Sequence, residues 1–204
     1  MGEEKNSTDF AFGFIPFGPI LRSRIYAVLT APTINVCIND IVMHGGIGTS
    51  TPKGYKNAIE DGAVPDGSAN LLGGVLAVFD ENMYPLQYIA PARVGDGTIA
   101  GYVLIADHPQ QLYLAQEDGT TNAIDLADMG QNANIVSATL CAPNSITYLG
   151  TQEIASDTVA TTAALNVKLV EPHMDDTPGD DANPYARWIV TINEHHYGDN
   201  LAGL

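Results

Sequence analysis

The side chains in this sequence that can do chemistry are its five histidines, its two cysteines and a loop rich in aspartate. The histidines are His44, His108, His173, His195 and His196. Only the last two are neighbours, and adjacent residues of a strand point to opposite faces, so no zinc-ligand set is formed locally. His173, Asp175, Asp176, Asp180, Asp181 and Asn183 offer oxygen and nitrogen ligands, but an EF-hand loop counted from Asp175 needs glycine sixth and glutamate twelfth. Those positions hold Asp180 and Ala186. The stretch 175–183 reads as a solvated acidic loop, with a bridging cation as the alternative. Cys37 and Cys141 lie in apolar contexts with no nearby Lys or Arg to lower a thiol pKa, and both read as reduced core residues.

Nucleotide and hydrolase signatures fail in the same way. Gly46-Ile47-Gly48 opens like a dinucleotide loop, but position 51 is Thr and no long helical pattern follows. No Gly-x-Ser-x-Gly elbow occurs. The pair Glu117-Asp118 lacks the aromatic platforms of a sugar cleft, since the chain's one tryptophan, Trp188, sits in an apolar strand pattern and reads as core. The expectation is a protein without catalytic residues, metal or cofactor.

The elements that carry these residues are strands. Short β-branched runs at Ile25–Leu29 and Ile34–Met43, and strand signals at Leu72–Phe79, Leu86–Ile89, Gly101–Ala106, Leu112–Gln116, Ile135–Leu140, Ala164–Val170 and Arg187–Asn193, alternate with turn clusters such as Gly95-Asp96-Gly97, Asp107-His108-Pro109 and Glu117-Asp118-Gly119. That cadence predicts a mainly β fold, a single β-sandwich or jelly-roll-like β-barrel with an extended N-terminal arm. One short helix is expected over Ala123–Met129, capped by Asn122. Residues 1–24 form the arm, 25–70 supply strands and a loop of uncertain attachment, and 71–204 form the β-rich core domain.

Four of the chain's five phenylalanines fall in the arm, where Phe10, Phe12, Phe14, Ile15, Phe17, Ile20 and Leu21 are interleaved with Gly and Pro. Helix is excluded at that density of breakers. The arm either straps the protein's own core or docks on a neighbouring subunit, by apolar burial or by adding to a sheet edge. The expectation is that the arm supplies a clamp, so that deleting residues 1–24 leaves a folded protein that no longer binds its partner.

Charge narrows the partners. Eight Lys plus Arg against 24 Asp plus Glu give a net charge of −16. Such a surface repels phosphate, so direct nucleic-acid binding and attachment to anionic membranes are not expected. The most apolar stretch, Phe10–Leu21, is too short and too broken to span a bilayer. Glu3 and Glu4 stand where a secretory leader would be basic.

Three segments carry a resemblance to a known family. The first runs from Gly74-Val75-Leu76-Ala77-Val78-Phe79 through Tyr88-Ile89-Ala90-Pro91-Ala92 and Gly101-Tyr102-Val103-Leu104-Ile105-Ala106-Asp107-His108-Pro109 to Ala115-Gln116-Glu117-Asp118. The second is Met129-Gly130-Gln131-Asn132-Ala133-Asn134-Ile135-Val136, and the third Ala186-Arg187-Trp188-Ile189-Val190-Thr191-Ile192-Asn193-Glu194-His195. In this order, over about residues 73–197, they resemble the capsid decoration or cement proteins of tailed bacteriophages. The resemblance implies a β-rich subunit that binds the major capsid protein on the outer surface of the virion, made in the host cytoplasm. It also implies a homo-oligomer, with a trimer favoured, and carries over no active site. A head-fibre base or host-glycan-binding module is the alternative.

Overall fold

In the computed structural model the described residues are 10–29, 32, 35–44, 58–60, 71–96, 99–119, 122–136, 147–181 and 184–198. The Gly46-Ile47-Gly48 motif, Cys141, Asn183 and residues 137–140 of one expected strand lie outside them. The described residues form β-strands and one turn of 3-10 helix, and the fold is mainly β, of the sandwich or barrel class.

One sheet is antiparallel throughout. It is built from β1 (Ile15–Phe17), β10 (Leu112–Gln116), β11 (Asn132–Ile135), β12 (Ile154–Ala160), β13 (Val167–Pro172) and β14 (Arg187–Ile192), in the order β1-β10-β14-β13-β11-β12. The other contains β2 (Ser23–Leu29), β4 (Ile41–His44), β5 (Ala58–Glu60), β6 (Leu71–Phe79), β7 (Pro85–Leu86) and β9 (Ile99–Ala106), in the order β4-β5-β2-β9-β6-β7. Because β4 also pairs with β6, this sheet curls back on itself. A small ribbon, β3 (Val36–Cys37) with β8 (Tyr88–Ile89), completes the set. Strands from before residue 70 thus pair directly with strands after it: β2 lies along β9, and β4 along β6.

Two apolar cores follow from the period-2 geometry of strands. On β4, Ile41 packs into one core and Val42 into the other; on β6, Leu71 and Leu72 divide in the same way. A strand buried on both faces must be apolar without alternation, which accounts for the run Leu71-Leu72-Gly73-Gly74-Val75. The first core holds Tyr113, Ala115, Trp188, Val190, Val167 and Leu169 from the inner face of the flat sheet, and Trp188 is fully buried there. The second fills the inside of the curled sheet with Tyr26, Val28, Val75, Val103 and Ile105. Gly73 shows why glycine is required where these walls meet. Its φ is +151°, and a Cβ there would collide with the carbonyl oxygen of Ala106.

The helix expected over Ala123–Met129 is instead one 3-10 turn, Leu126–Asp128, capped by Asp125 and not Asn122. The reason is tertiary. Ala123 N donates to Asp181 Oδ1 (3.1 Å) and Ile124 N donates to Glu117 Oε2 (2.7 Å), which holds this stretch in extended form. The apolar run ending at Met43 is likewise divided into β3 and β4 by a turn at Asn39, whose φ is +72°.

Candidate interaction surface

The arm is built onto the body. Gly13 (φ +74°) turns the chain so that Phe14 N donates to Asn39 O at 2.7 Å, while Asn39 Nδ2 donates to Phe12 O at 3.0 Å. Phe14 is thereby driven fully into the first core. β1 then pairs antiparallel with β10, in the register Ile15↔Leu114, Pro16↔Tyr113 and Phe17↔Leu112. Two glutamines fasten the ends of this segment. Phe10 N donates to Gln116 Oε1 (3.2 Å) and Leu21 N donates to Gln111 Oε1 (3.0 Å).

Strand alternation decides which side chains remain outside. Tyr113 is buried in the core, so Pro16 opposite it faces inward, and Ile15 and Phe17 face outward beside Leu114 and Leu112. Ile15 and Phe17 are each 38% exposed, and Phe10, Ile20 and Leu21 about half exposed. Of the seven arm residues expected to form an interface, Phe14 belongs to the protein's own core and Phe12 is half-buried. The other five are exposed, Ile15 and Phe17 on the edge strand and Phe10, Ile20 and Leu21 on the segments that flank it.

The polar residues of the molecule are arranged differently. Asp107, directly after β9, is fully buried and accepts from Tyr26 Oη (2.6 Å), Arg22 Nε (2.8 Å) and Arg24 Nε. Burial alone would raise its carboxyl pKa, but these three donors outweigh it and hold Asp107 below the usual carboxylate range. Arg22 and Arg24 lie over the ring of Tyr197, which His196 meets edge-on. His196 in turn stacks on His44 with ring centroids 4.2 Å apart. The cluster fastens residues 195–198 to the curled sheet. Burial lowers the pKa of His195 to about 4.

Glu117 occupies a second buried position. Its two oxygens accept from Ile124 N (2.7 Å) and Ala186 N (3.0 Å), and burial, only partly offset by those donors, pushes its pKa up to about 7. Its neighbour Asp118 turns elsewhere, accepting from Ser156 N (3.2 Å) and Oγ (3.0 Å). In the acidic loop Asp176 is buried and accepts from Arg187 N, Nε and Nη2, while Asp181 accepts from Ala123 N. These carboxylates are spent on backbone amides and arginines. Among the described residues no group of three or more His, Cys, Asp or Glu is placed to hold a metal ion. Cys37 is buried, and burial followed by the nearby Asp40 carboxylate raises its thiol pKa, which disfavours the thiolate.

The chain matches no family model, no curated protein and no solved structure. Its apolar outer face is therefore interpreted from its own geometry.

Sequence reasoning missed the Asp107 and Glu117 positions, assigning both to turns. One signal was present: Arg22, Arg24 and Tyr26 recur at every second residue, which places them on one side of an extended chain.

Proposed function

We propose that this chain is a non-enzymatic virion structural protein that binds the outer surface of a phage capsid and stabilises it by bridging neighbouring major capsid protein subunits. The observation that carries the reading is the outward apolar face of the arm, Ile15, Phe17, Ile20 and Leu21, fixed in place by the protein's own sheet. A face already held in one conformation loses little entropy on docking, which favours binding by a small patch. Capsid symmetry multiplies such a patch over many copies. The assignment of the partner rests on the resemblance of residues 73–197 to decoration proteins, and the acidic surface suits a soluble outer component.

Of the two modes open to the arm, apolar burial is favoured over strand addition. β1 is an edge strand of three residues with Pro16 at its centre, and a proline without an N–H is a device that discourages strand pairing at an edge.

Removing residues 1–24 is a poor test, because it would take Phe14 from the core and both arginines from Asp107. Substitution on the exposed face is the better one. The triple variant Ile15→Asp, Phe17→Asp, Ile20→Asp should stay folded, with a lower melting temperature from the lost contacts to Leu112 and Leu114, and lose capsid affinity on the order of a hundredfold, equivalent to about 3 kcal/mol. Undiminished co-sedimentation of that variant with capsids would remove the arm from the binding surface.

A further inference from the structure

The hairpin of β13 and β14 carries a cavity at one end and a matching projection at the other. The cavity has a volume of about 480 Å³, with apolar walls from Pro109, Leu112 and Ile192 and polar groups from Lys168, Asn193 and His195. That is the size and composition of a site that takes one apolar group with one polar anchor. Asn193 spends its amide donor on Ala163 O (2.8 Å) and Leu165 O (3.0 Å). Lys168 is different. Among the described residues Arg22, Arg24, Arg93 and Arg187 each have a carboxylate partner, whereas Lys168, half-buried at the cavity, has none. In a chain of net charge −16, a cation at a cavity whose described lining holds no carboxylate fits an acidic occupant.

The projection is the turn that follows β13. Met174 is 89% exposed there, more than any other large apolar side chain among the described residues. The next residue, Asp175, has a side chain 71% exposed, with His173 Nδ1 at 3.9 Å, a contact that is ionic only when the imidazole is protonated, and with the Arg187 guanidinium near enough to feel its charge. A flexible thioether beside a solvated carboxylate complements an apolar cavity beside an ammonium group. Lys168 and Met174 are six residues apart along an extended chain, so cavity and projection are separated by about 20 Å on one hairpin.

We propose that the cavity receives Met174 and Asp175 of a second copy of this chain, with Lys168 pairing to the incoming Asp175 carboxylate. Because donor and acceptor surfaces differ, the contact is head-to-tail, which makes a ring where the rotation between copies closes and a filament where it does not. Leu112 lines the cavity and also pairs with Phe17, so the contact lies beside the apolar face of the arm. The proposal does not depend on a capsid partner.

The test is the solution mass of the intact chain by light scattering, for wild type, Lys168→Glu and Met174→Asp, with circular dichroism confirming that each is folded. Wild type should be an oligomer, and each variant alone should fall to the 21.6 kDa of one chain. Mixed in equal amounts, the two variants retain one intact cavity and one intact projection between them. They should form a heterodimer that grows no further. A wild-type chain that is monomeric at all concentrations, an oligomer that neither variant changes, or a mixture that stays monomeric would each overturn the proposal.

Discussion

Asp107 carries more of the molecule's polar organisation than any single residue around it. Its carboxylate is the shared acceptor of Tyr26, Arg22 and Arg24, and the arginines hold Tyr197 in turn. Replacing Asp107 by Asn leaves two guanidinium groups without a counter-charge. Because both are partly exposed and regain water, the expected loss is about 2–3 kcal/mol, read as a lower melting temperature. Glu117 gives a prediction of different form. Its folded pKa lies above its ordinary value, so its own contribution to stability falls as pH rises from 4.5 to about 7 and the buried group loses its proton, by about 3 kcal/mol in all. His195 acts oppositely. Its pKa is lowered to about 4, so its contribution grows as pH rises from about 4 to 6.5, and in the wild type the two effects largely cancel. In Glu117→Gln the amide must turn its NH2 toward a backbone N–H, so the variant is less stable. Its deficit in melting temperature should shrink between pH 4.5 and about 7, because only the wild type loses stability by ionising there. A deficit that stays constant with pH would mean that Glu117 is already ionised at the acidic end. The sequence displayed Arg22, Arg24 and Tyr26 at strand spacing, but not that their acceptor stands 85 residues beyond Arg22. Periodicity describes one strand's faces and contains no information about which strand lies alongside.

Among the elements, those legible in the sequence are those buried on at least one face. β2, β6, β9 and β14 carry β-branched residues and β10 an alternation of Leu, Tyr and Ala, and each contributes to a core. β12 was missed. Its sequence, Ile154-Ala155-Ser156-Asp157-Thr158-Val159-Ala160, reaches the first core through Ile154 and Val159, but the small and polar residues between them break the alternation that marks a strand. β1 was seen as an arm and not as a strand, since Gly and Pro on both sides mask a three-residue pairing that only β10 can reveal. The arm straps the protein's own core through Phe14, and Ile15 and Phe17 face outward, which is the face the proposed docking would use. Phe14→Ala should cost about 3–5 kcal/mol, as for other fully buried phenylalanines, and so lower the melting temperature far more than any substitution of Ile15 or Phe17. Equal effects at Phe14 and Phe17 would contradict the register of β1 on β10.

At the scale of the whole molecule, an acidic β-protein commits its described arginines to ion pairs, and its exposed apolar side chains include a run along the arm, Phe10, Ile15, Phe17, Ile20 and Leu21, and the most exposed of them, Met174, at a loop tip. The fold class was legible because strand cadence and turn residues report it locally. The curled pairing of β4 with β6 was not, because closure depends on strand order. The arm face and the Met174 loop belong to separate contacts, so capsid binding and self-association should be lost independently, the first on substitution of Ile15, Phe17 and Ile20 and the second on substitution of Lys168 or Met174. The most direct test of the central claim is co-sedimentation of the purified chain with phage capsids stripped of decoration, followed by heating of the complex. Saturable binding with a stoichiometry fixed by capsid symmetry, together with a higher temperature of capsid disruption, is the predicted result. A well-folded chain that remains in the supernatant at every concentration and leaves capsid heat resistance unchanged would contradict it.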